Sequence, residues 1–239
     1  MRLRVPPGVH RPVSDTRMLI AAMLELGVDG GAVADLCAGS GAVAIAAAQN
    51  GARRVLAVDV SRRAVIAARR NAAANGCRVE VRRGDMMRAL GAERFETIVA
   101  NPPYVPSATD VLPRHSRRTP LDAGRDGRAL LDRICARAAG HLRPGGSLLL
   151  VHSSVCGERR TLALLEESGL QASVVSRSRG PLGPVLRSRA AMLRERGLLG
   201  DEDEEEIVVI RGLAGSPSDI SETVPPASAP KRAPVPAAG

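Results

Sequence analysis

The 239-residue sequence contains no tryptophan, one phenylalanine and one tyrosine. Its core must therefore be assembled from Ala, Val, Leu and Ile, and the lone Tyr104 stands out. Lysine is nearly missing as well: Lys231 is the only one, so the formal charge of +9 is carried by arginine. Such a balance fits an anionic partner, with nucleic acid first among the candidates. G+C-rich coding would give the same composition without a partner, and both explanations stay open. The four cysteines, Cys37, Cys77, Cys135 and Cys156, form no Cys-x-x-Cys pair, which argues against a zinc site. His10, His115, His141 and His152 show no ligand spacing either; they are read as helix-end or loop residues, and no metal is expected. Residues 1–12 hold no apolar run of signal-peptide length, and no segment approaches the ~20 apolar residues that cross a bilayer. A soluble, cytoplasmic protein is the expectation.

From Gly31 onward, short β-branched or apolar runs alternate with Ala/Leu/Arg stretches of helical character. This is the pattern of a doubly wound α/β protein: a mostly parallel sheet with helices on both faces. Strands are expected at 33–37, 54–59, 79–83, 97–100 and 147–152, with helices at 42–50, after the capping residue Ser61, and at 128–141. A turn at Pro144-Gly145-Gly146 should precede the fifth strand. Two last strands, near 172–177 and 207–211, complete a set of seven as a late antiparallel hairpin at the sheet edge. The Arg-rich stretch joining them ends in the acidic run Asp201–Glu206, read as a solvated loop. Residues 1–213 should form one domain, and 214–239, rich in Pro, Ser and Ala, a disordered tail.

Three short motifs bear on ligand binding. Asp35-Leu-Cys37-Ala-Gly39-Ser-Gly41 follows the first strand and opens a helix, where a Gly-rich turn lets a ligand approach backbone N–H groups. Asp59 ends the second strand about twenty residues later, where a carboxylate can accept the hydroxyls of a ribose. The spacing departs from the Gly-x-Gly-x-x-Gly dinucleotide fingerprint. Asp85, in Gly84-Asp85-Met86 after the third strand, is placed to accept from an adenine amino group. These features favour a nucleoside-bearing cofactor other than NAD.

Asn101-Pro102-Pro103-Tyr104 follows the fourth strand, at the carboxyl edge of the sheet where open α/β folds bind ligands. The Asn101 side-chain oxygen and the Pro102 carbonyl can each accept one N–H of a substrate –NH2, holding it in line with a methylsulfonium. The prolines stiffen the loop, and Tyr104 offers a flat face to a planar group.

Taken together, these motifs resemble class I methyltransferases of the HemK type, the protein-glutamine N5-methyltransferases that modify peptide-chain release factors. The resemblance runs from about Gly8 to Gly212. It takes in Pro12-Val-Ser-Asp15-Thr16, similar to the family segment whose Thr or Ser lies near the cofactor, and Leu121-Asp-Ala-Gly-x-Asp-Gly-Arg128. It implies a Rossmann-like fold and S-adenosyl-L-methionine as cofactor, held by Thr16, Asp35, Cys37, Gly39, Gly41, Asp59, Asp85, Met86 and Asn101. It implies catalysis by Asn101, Pro102 and Tyr104, with Pro103 joining them at the substrate, and a protein substrate, a translation release factor. Two departures stand out. The chain starts almost directly at the catalytic domain, like the family's short branch, which often works with a small activator subunit. Cys37 replaces the first glycine of the Gly-x-Gly-x-Gly loop and should tighten the pocket there.

Two other functions compete. An adenine N6-methyltransferase of DNA or RNA uses the same Asn-Pro-Pro-aromatic chemistry on a flipped base. Such enzymes need a recognition region, and the Arg-containing loop 105–120 is too short to serve as one. A scaffold retaining only the fold would have lost the cofactor carboxylates or the amide-clamping Asn, yet Asp35, Asp59, Asp85 and Asn101 are all present.

Overall fold

The computed structural model describes residues 1–111 and 121–216. Seven strands form one sheet in the order β3-β2-β1-β4-β5-β7-β6. Strands β1 (Ala32–Leu36), β2 (Arg54–Asp59), β3 (Glu80–Arg83), β4 (Phe95–Ala100) and β5 (Leu142–Ser153) run parallel. Strand β7 (Glu204–Ala214) lies antiparallel between β5 and β6 (Leu170–Pro181). The chain order reverses between β1 and β4, which makes their carboxyl ends the natural ligand crevice.

Strand period decides which helices cover which face. Val33, Val55, Val99, Leu149 and Val209 pack with Leu19, Met23, Ala44, Ala47, Val65 and Ala68 from α1 (Ser14–Leu26), α2 (Ala42–Gln49) and α3 (Arg62–Ala74). Their strand neighbours, Ala34, Leu56, Ile98, Leu148 and Ile210, face Leu131, Ile134 and Leu165 from α4 (Leu131–Cys135) and α5 (Glu158–Glu167). Side chains alternating across each strand thus feed two apolar layers. Alanine fills much of the space that aromatics fill elsewhere, and the one phenylalanine, Phe95, is fully buried.

Several expected elements come out differently. The helix expected over 128–141 contracts to α4, followed by a 3-10 turn at Ala138–His141; the tightening begins where the Arg137 N–H bonds the Ile134 carbonyl at 3.1 Å, and Gly140 weakens the next turn. Pro144-Gly145-Gly146 is no turn before β5 but a bulge inside it, since the register jumps from Phe95↔Leu142 to Thr97↔Ser147. The Arg-rich connection carries two short helices, α6 (Pro184–Ser188) and α7 (Ala190–Glu195). The acidic run is not a solvated loop throughout: Glu204–Glu206 are strand residues of β7, and Arg177 and Arg179 of β6 pair with Glu206, Glu204 and Glu202 across the ladder. His152 is fully buried in β5, not on the surface, and burial lowers its pKa to about 4. The last strand runs to Ala214, inside the segment read as tail. Residues 217–239 of that tail, His115, and 112–120 of the loop considered for nucleic-acid recognition lie outside the described residues.

Candidate functional site

A cavity of about 1200 Å³ opens at the carboxyl ends of β1, β2 and β4. Asp35 ends deep in its floor, 2% exposed, and accepts the Ala44 N–H at 3.0 Å, tying β1 to the first turn of α2. Burial pushes its carboxyl up to about 7, against the pull of that hydrogen bond, and neighbouring Asp59 adds to the rise. Asp59 accepts the Gly39 N–H at 2.9 Å through Oδ2 and the Ser61 N–H at 2.8 Å through Oδ1. Each oxygen therefore keeps a lone pair for a further donor. Burial raises this carboxyl too, while the two N–H groups lower it.

Between these two carboxylates runs the glycine turn. Cys37 adopts φ 59°, a left-handed conformation that glycine enters without strain and cysteine does not. Its thiol is held protonated by burial and by the nearby Asp59 and Asp35. Gly41, φ 82°, is not part of the cavity wall; a Cβ there would come within 3.0 Å of the Ala68 side chain, so its lack of one lets the turn close on α3. Asp85 lines the cavity, but its Oδ2 is engaged by Arg133 at 2.5 Å, leaving Oδ1 for any ligand. Met86 beside it also lines the cavity and has φ 36°.

The opposite end of the cavity holds the Asn-Pro-Pro-Tyr loop. Asn101 Nδ2 donates to Thr16 Oγ1 at 3.2 Å, and that hydroxyl donates to Asp15 Oδ1 at 3.2 Å. The Tyr104 hydroxyl donates to Asp15 Oδ2 at 3.0 Å. One carboxylate at the start of α1 thus orients both the Asn101 and the Tyr104 side chains of the loop. With its –NH2 so engaged, Asn101 turns its Oδ1 free, and neither that oxygen nor the Pro102 carbonyl has a hydrogen-bond partner among the described residues. Burial and Asp15 keep the Tyr104 phenol neutral.

The loop is clamped from behind. Cys156 Sγ donates to the Tyr104 carbonyl at 2.9 Å, and burial keeps that thiol protonated. Gly127, φ 75°, passes so close that a Cβ would meet the Tyr104 carbonyl at 2.4 Å. Buried Arg128 reaches the Cys156 and Gly157 carbonyls and Thr161 Oγ1, fixing the backbone that carries Cys156. On the β6–β7 side Glu205 lines the cavity and accepts the Gly183 N–H at 2.9 Å.

Of the residues expected at the site, Thr16, Asp35, Cys37, Gly39, Asp59, Asp85, Met86, Asn101, Pro102, Pro103 and Tyr104 line this one cavity, and Gly41 stands behind it. Sequence reasoning missed Asp15, Cys156 as a loop clamp, Arg128, Arg133 and Glu205. Asp15 adjoins Thr16 and Arg128 closes the Leu121–Arg128 segment, so those two carried a signal. The other three are brought in only by the fold.

Residues 10–113 match the family described as Methyltransferase small domain. A Methanocaldococcus jannaschii protein bearing the name of a protein N5-glutamine methyltransferase is 29% identical over 194 residues, covering 78% of this chain and 93% of that protein. The release factor glutamine methyltransferase of Geobacter sulfurreducens is 36% identical over 161 residues, 61% of this chain and 54% of that enzyme. The chain thus spans nearly all of the archaeal relative and about half the length of the bacterial one. Among solved structures, the Mtq2–Trm112 complex of E. cuniculi, described as responsible for methylating the termination factor eRF1, has a TM-score of 0.62 at 21% identity, covering 87% of this chain and 99% of that one. At that identity the likeness is one of fold.

Proposed function

We propose that this chain, similar to the Methyltransferase small domain family and to glutamine methyltransferases, is a HemK-type class I methyltransferase that methylates the side-chain amide nitrogen of a glutamine in a protein, a translation release factor first among candidates. The observation that carries this reading is the pair of free acceptors, Asn101 Oδ1 and the Pro102 carbonyl, sharing a cavity with Asp59 and the glycine turn. The relatives' names support glutamine over adenine.

The cavity suits S-adenosylmethionine. It is large enough for a nucleoside with an amino-acid tail; Asp59 offers spare lone pairs to ribose hydroxyls, Asp85 Oδ1 is open to an exocyclic amine, and Thr16 and residues 37–40 of the glycine turn line the space between. When bound, the cofactor supplies an electrophilic methyl on sulfur. The chain's own residues do the rest. Asn101 Oδ1 and the Pro102 carbonyl would each accept one N–H of the substrate –NH2, turning the nitrogen lone pair toward the methyl group and stabilising positive charge as the N–C bond forms at the expense of the methyl–sulfur bond, until the nitrogen gives up one of those two protons to solvent. Tyr104, fixed through Asp15, supports the flat amide. Because Thr16 and Asp15 orient the Asn101 amide beforehand, little reorganisation remains at the moment of reaction.

A glutamine-bearing protein is then the principal partner, and a small activator subunit, as in the complex named above, is the second to test. Among the described residues no helix is long and apolar enough to cross a membrane. The test offers labelled S-adenosylmethionine with release-factor protein, DNA and RNA in parallel, at low and near-physiological salt, with and without a candidate activator. Label in protein supports the proposal. Label in adenine that survives near-physiological salt, with none in any protein offered, overturns it.

A further inference from the structure

The chain's excess positive charge is not spread evenly. Arg54, Arg82, Arg133, Arg160, Arg177, Arg179, Arg189 and Arg194 each have a carboxylate partner. Of the exposed arginines that have none among the described residues, seven form one group, Arg2, Arg4, Arg62, Arg63, Arg69, Arg70 and Arg78, while others such as Arg17, Arg53, Arg137, Arg159 and Arg187 lie scattered. All seven belong to two stretches, residues 1–14 and 62–79, that contain no Asp or Glu at all.

The fold brings those stretches together by a specific device. Asn75 Oδ1 accepts the Arg2 N–H at 2.8 Å while its Nδ2 donates to the Arg2 carbonyl at 2.7 Å. One helical turn back, Asn71 makes the same pair of bonds with Arg4, at 2.9 and 3.1 Å. Two side-chain amides thus read the backbone of alternate residues as a neighbouring strand would, and lay the arm, residues 1–5, along α3. Leu3 and Val5 are half-buried, whereas Arg2 and Arg4 stand in solvent. On α3, Arg62 and Arg69 lie seven residues apart, as do Arg63 and Arg70, so each pair shares a helix face at about 10 Å spacing. Asn71 also donates to the Ser40 carbonyl at 2.9 Å, so the surface is rigidly continuous with the glycine turn, and Arg62 and Arg63 reach the cavity rim.

We infer that the arm and α3 form a docking surface for the phosphate backbone of a structured RNA, separate from the methyl acceptor. Like charges placed side by side repel, and a fold that clamps two more arginines beside four others gains only if an anion arrives between them. The chemistry favours phosphate over an acidic protein. Protein interfaces centre on an apolar core depleted of charge, and here Met1 and Ile66 are the only large apolar side chains exposed on the arm and α3. Guanidinium groups bond phosphate oxygens in pairs and need no apolar centre. The inference concerns where the enzyme sits, and it stands apart from the glutamine reading.

The experiment is equilibrium binding of the full chain to a fluorescently labelled RNA hairpin across a salt series. Four phosphate contacts would weaken binding about a hundredfold between about 50 and 200 mM salt. Arg2→Ala with Arg4→Ala and Arg70→Ala removes side chains that make no hydrogen bond among the described residues. That triple variant should bind at least tenfold more weakly near 100 mM salt and lose about three from the slope of log K against log salt. The matching Lys triple variant should restore most of the slope. Arg137→Ala with Arg159→Ala and Arg187→Ala, three exposed arginines elsewhere, should bind as the unaltered chain does. No binding by the unaltered chain, equal weakening in both Ala triples, or displacement of RNA by polyglutamate of equal charge would each overturn the assignment. None of these results depends on methyl transfer.

Discussion

Asp35→Asn should stabilise the protein at high pH and leave it nearly unchanged at low pH. The carboxyl is 2% exposed and its pKa is raised from 3.8 to about 7, by burial first, against the Ala44 hydrogen bond, with Asp59 adding to the rise. Below about pH 4 the group is protonated in both folded and unfolded chains and contributes nothing. Between about 4 and 7 the folded chain retains a proton that the unfolded chain has released, so stability falls as pH rises; above about 7 the cost is complete. A gap of roughly three pH units corresponds to at most about 4 kcal/mol. Asparagine keeps the acceptor for Ala44 and removes the titration. For a domain of this size about 1 kcal/mol moves Tm by ~2–4 °C, so the melting temperature of the variant relative to wild type should climb by roughly 10 °C between pH 4 and 8. Thermal unfolding of the ligand-free proteins in matched buffers measures it. A difference that stays constant across that range would refute the reasoning that burial of this carboxyl governs its ionisation.

Three further outcomes bear on the site. Asp59→Ala should weaken S-adenosylmethionine binding by about 1–3 kcal/mol in calorimetric titration, because a charged acceptor for the ribose hydroxyls is lost; an unchanged dissociation constant would remove Asp59 from the cofactor site. Asn101→Ala should leave cofactor affinity within about threefold yet cut turnover roughly a hundredfold or more, since its oxygen acts on the reacting nitrogen; near-normal turnover would sink the amide clamp. Asp15→Asn has one acceptor where Tyr104 and Thr16 now use two, so kcat should fall about tenfold, a loss near 1.4 kcal/mol, with cofactor affinity nearly kept; an equal loss in both would place Asp15 on the cofactor side.

The central parallel strands were legible because each is a short apolar run with a polar residue, Asp35, Asp59 or Asn101, at its carboxyl end, and β2 falls on Arg54–Asp59 as expected. Residues fixed by such strand ends, Asp35, Asp59 and Asn101, could be placed in one crevice from spacing alone. What escaped notice was set by tertiary contact. The carbonyl bonds made by Arg128 and Cys156 span 28 and 52 residues of chain, and no local pattern announces them. The acidic run looked like solvated loop because its partners, Arg177 and Arg179, sit on the neighbouring strand. His152 reads as polar, yet it lies in a run, Leu148 to Ser153, whose every residue is buried under the helices. Arginine content alone left the charge ambiguous, whereas the fold gathers along the arm and α3 seven arginines without carboxylate partners among the described residues.

The most direct measurement is fragmentation mass spectrometry of a release factor after incubation with the enzyme and isotopically labelled S-adenosylmethionine, with the Asn101→Ala variant alongside. A single labelled methyl on the side-chain nitrogen of one glutamine, absent with the variant, is the predicted result. A methyl on any other side chain, or the same label at full level with Asn101→Ala, would contradict the account.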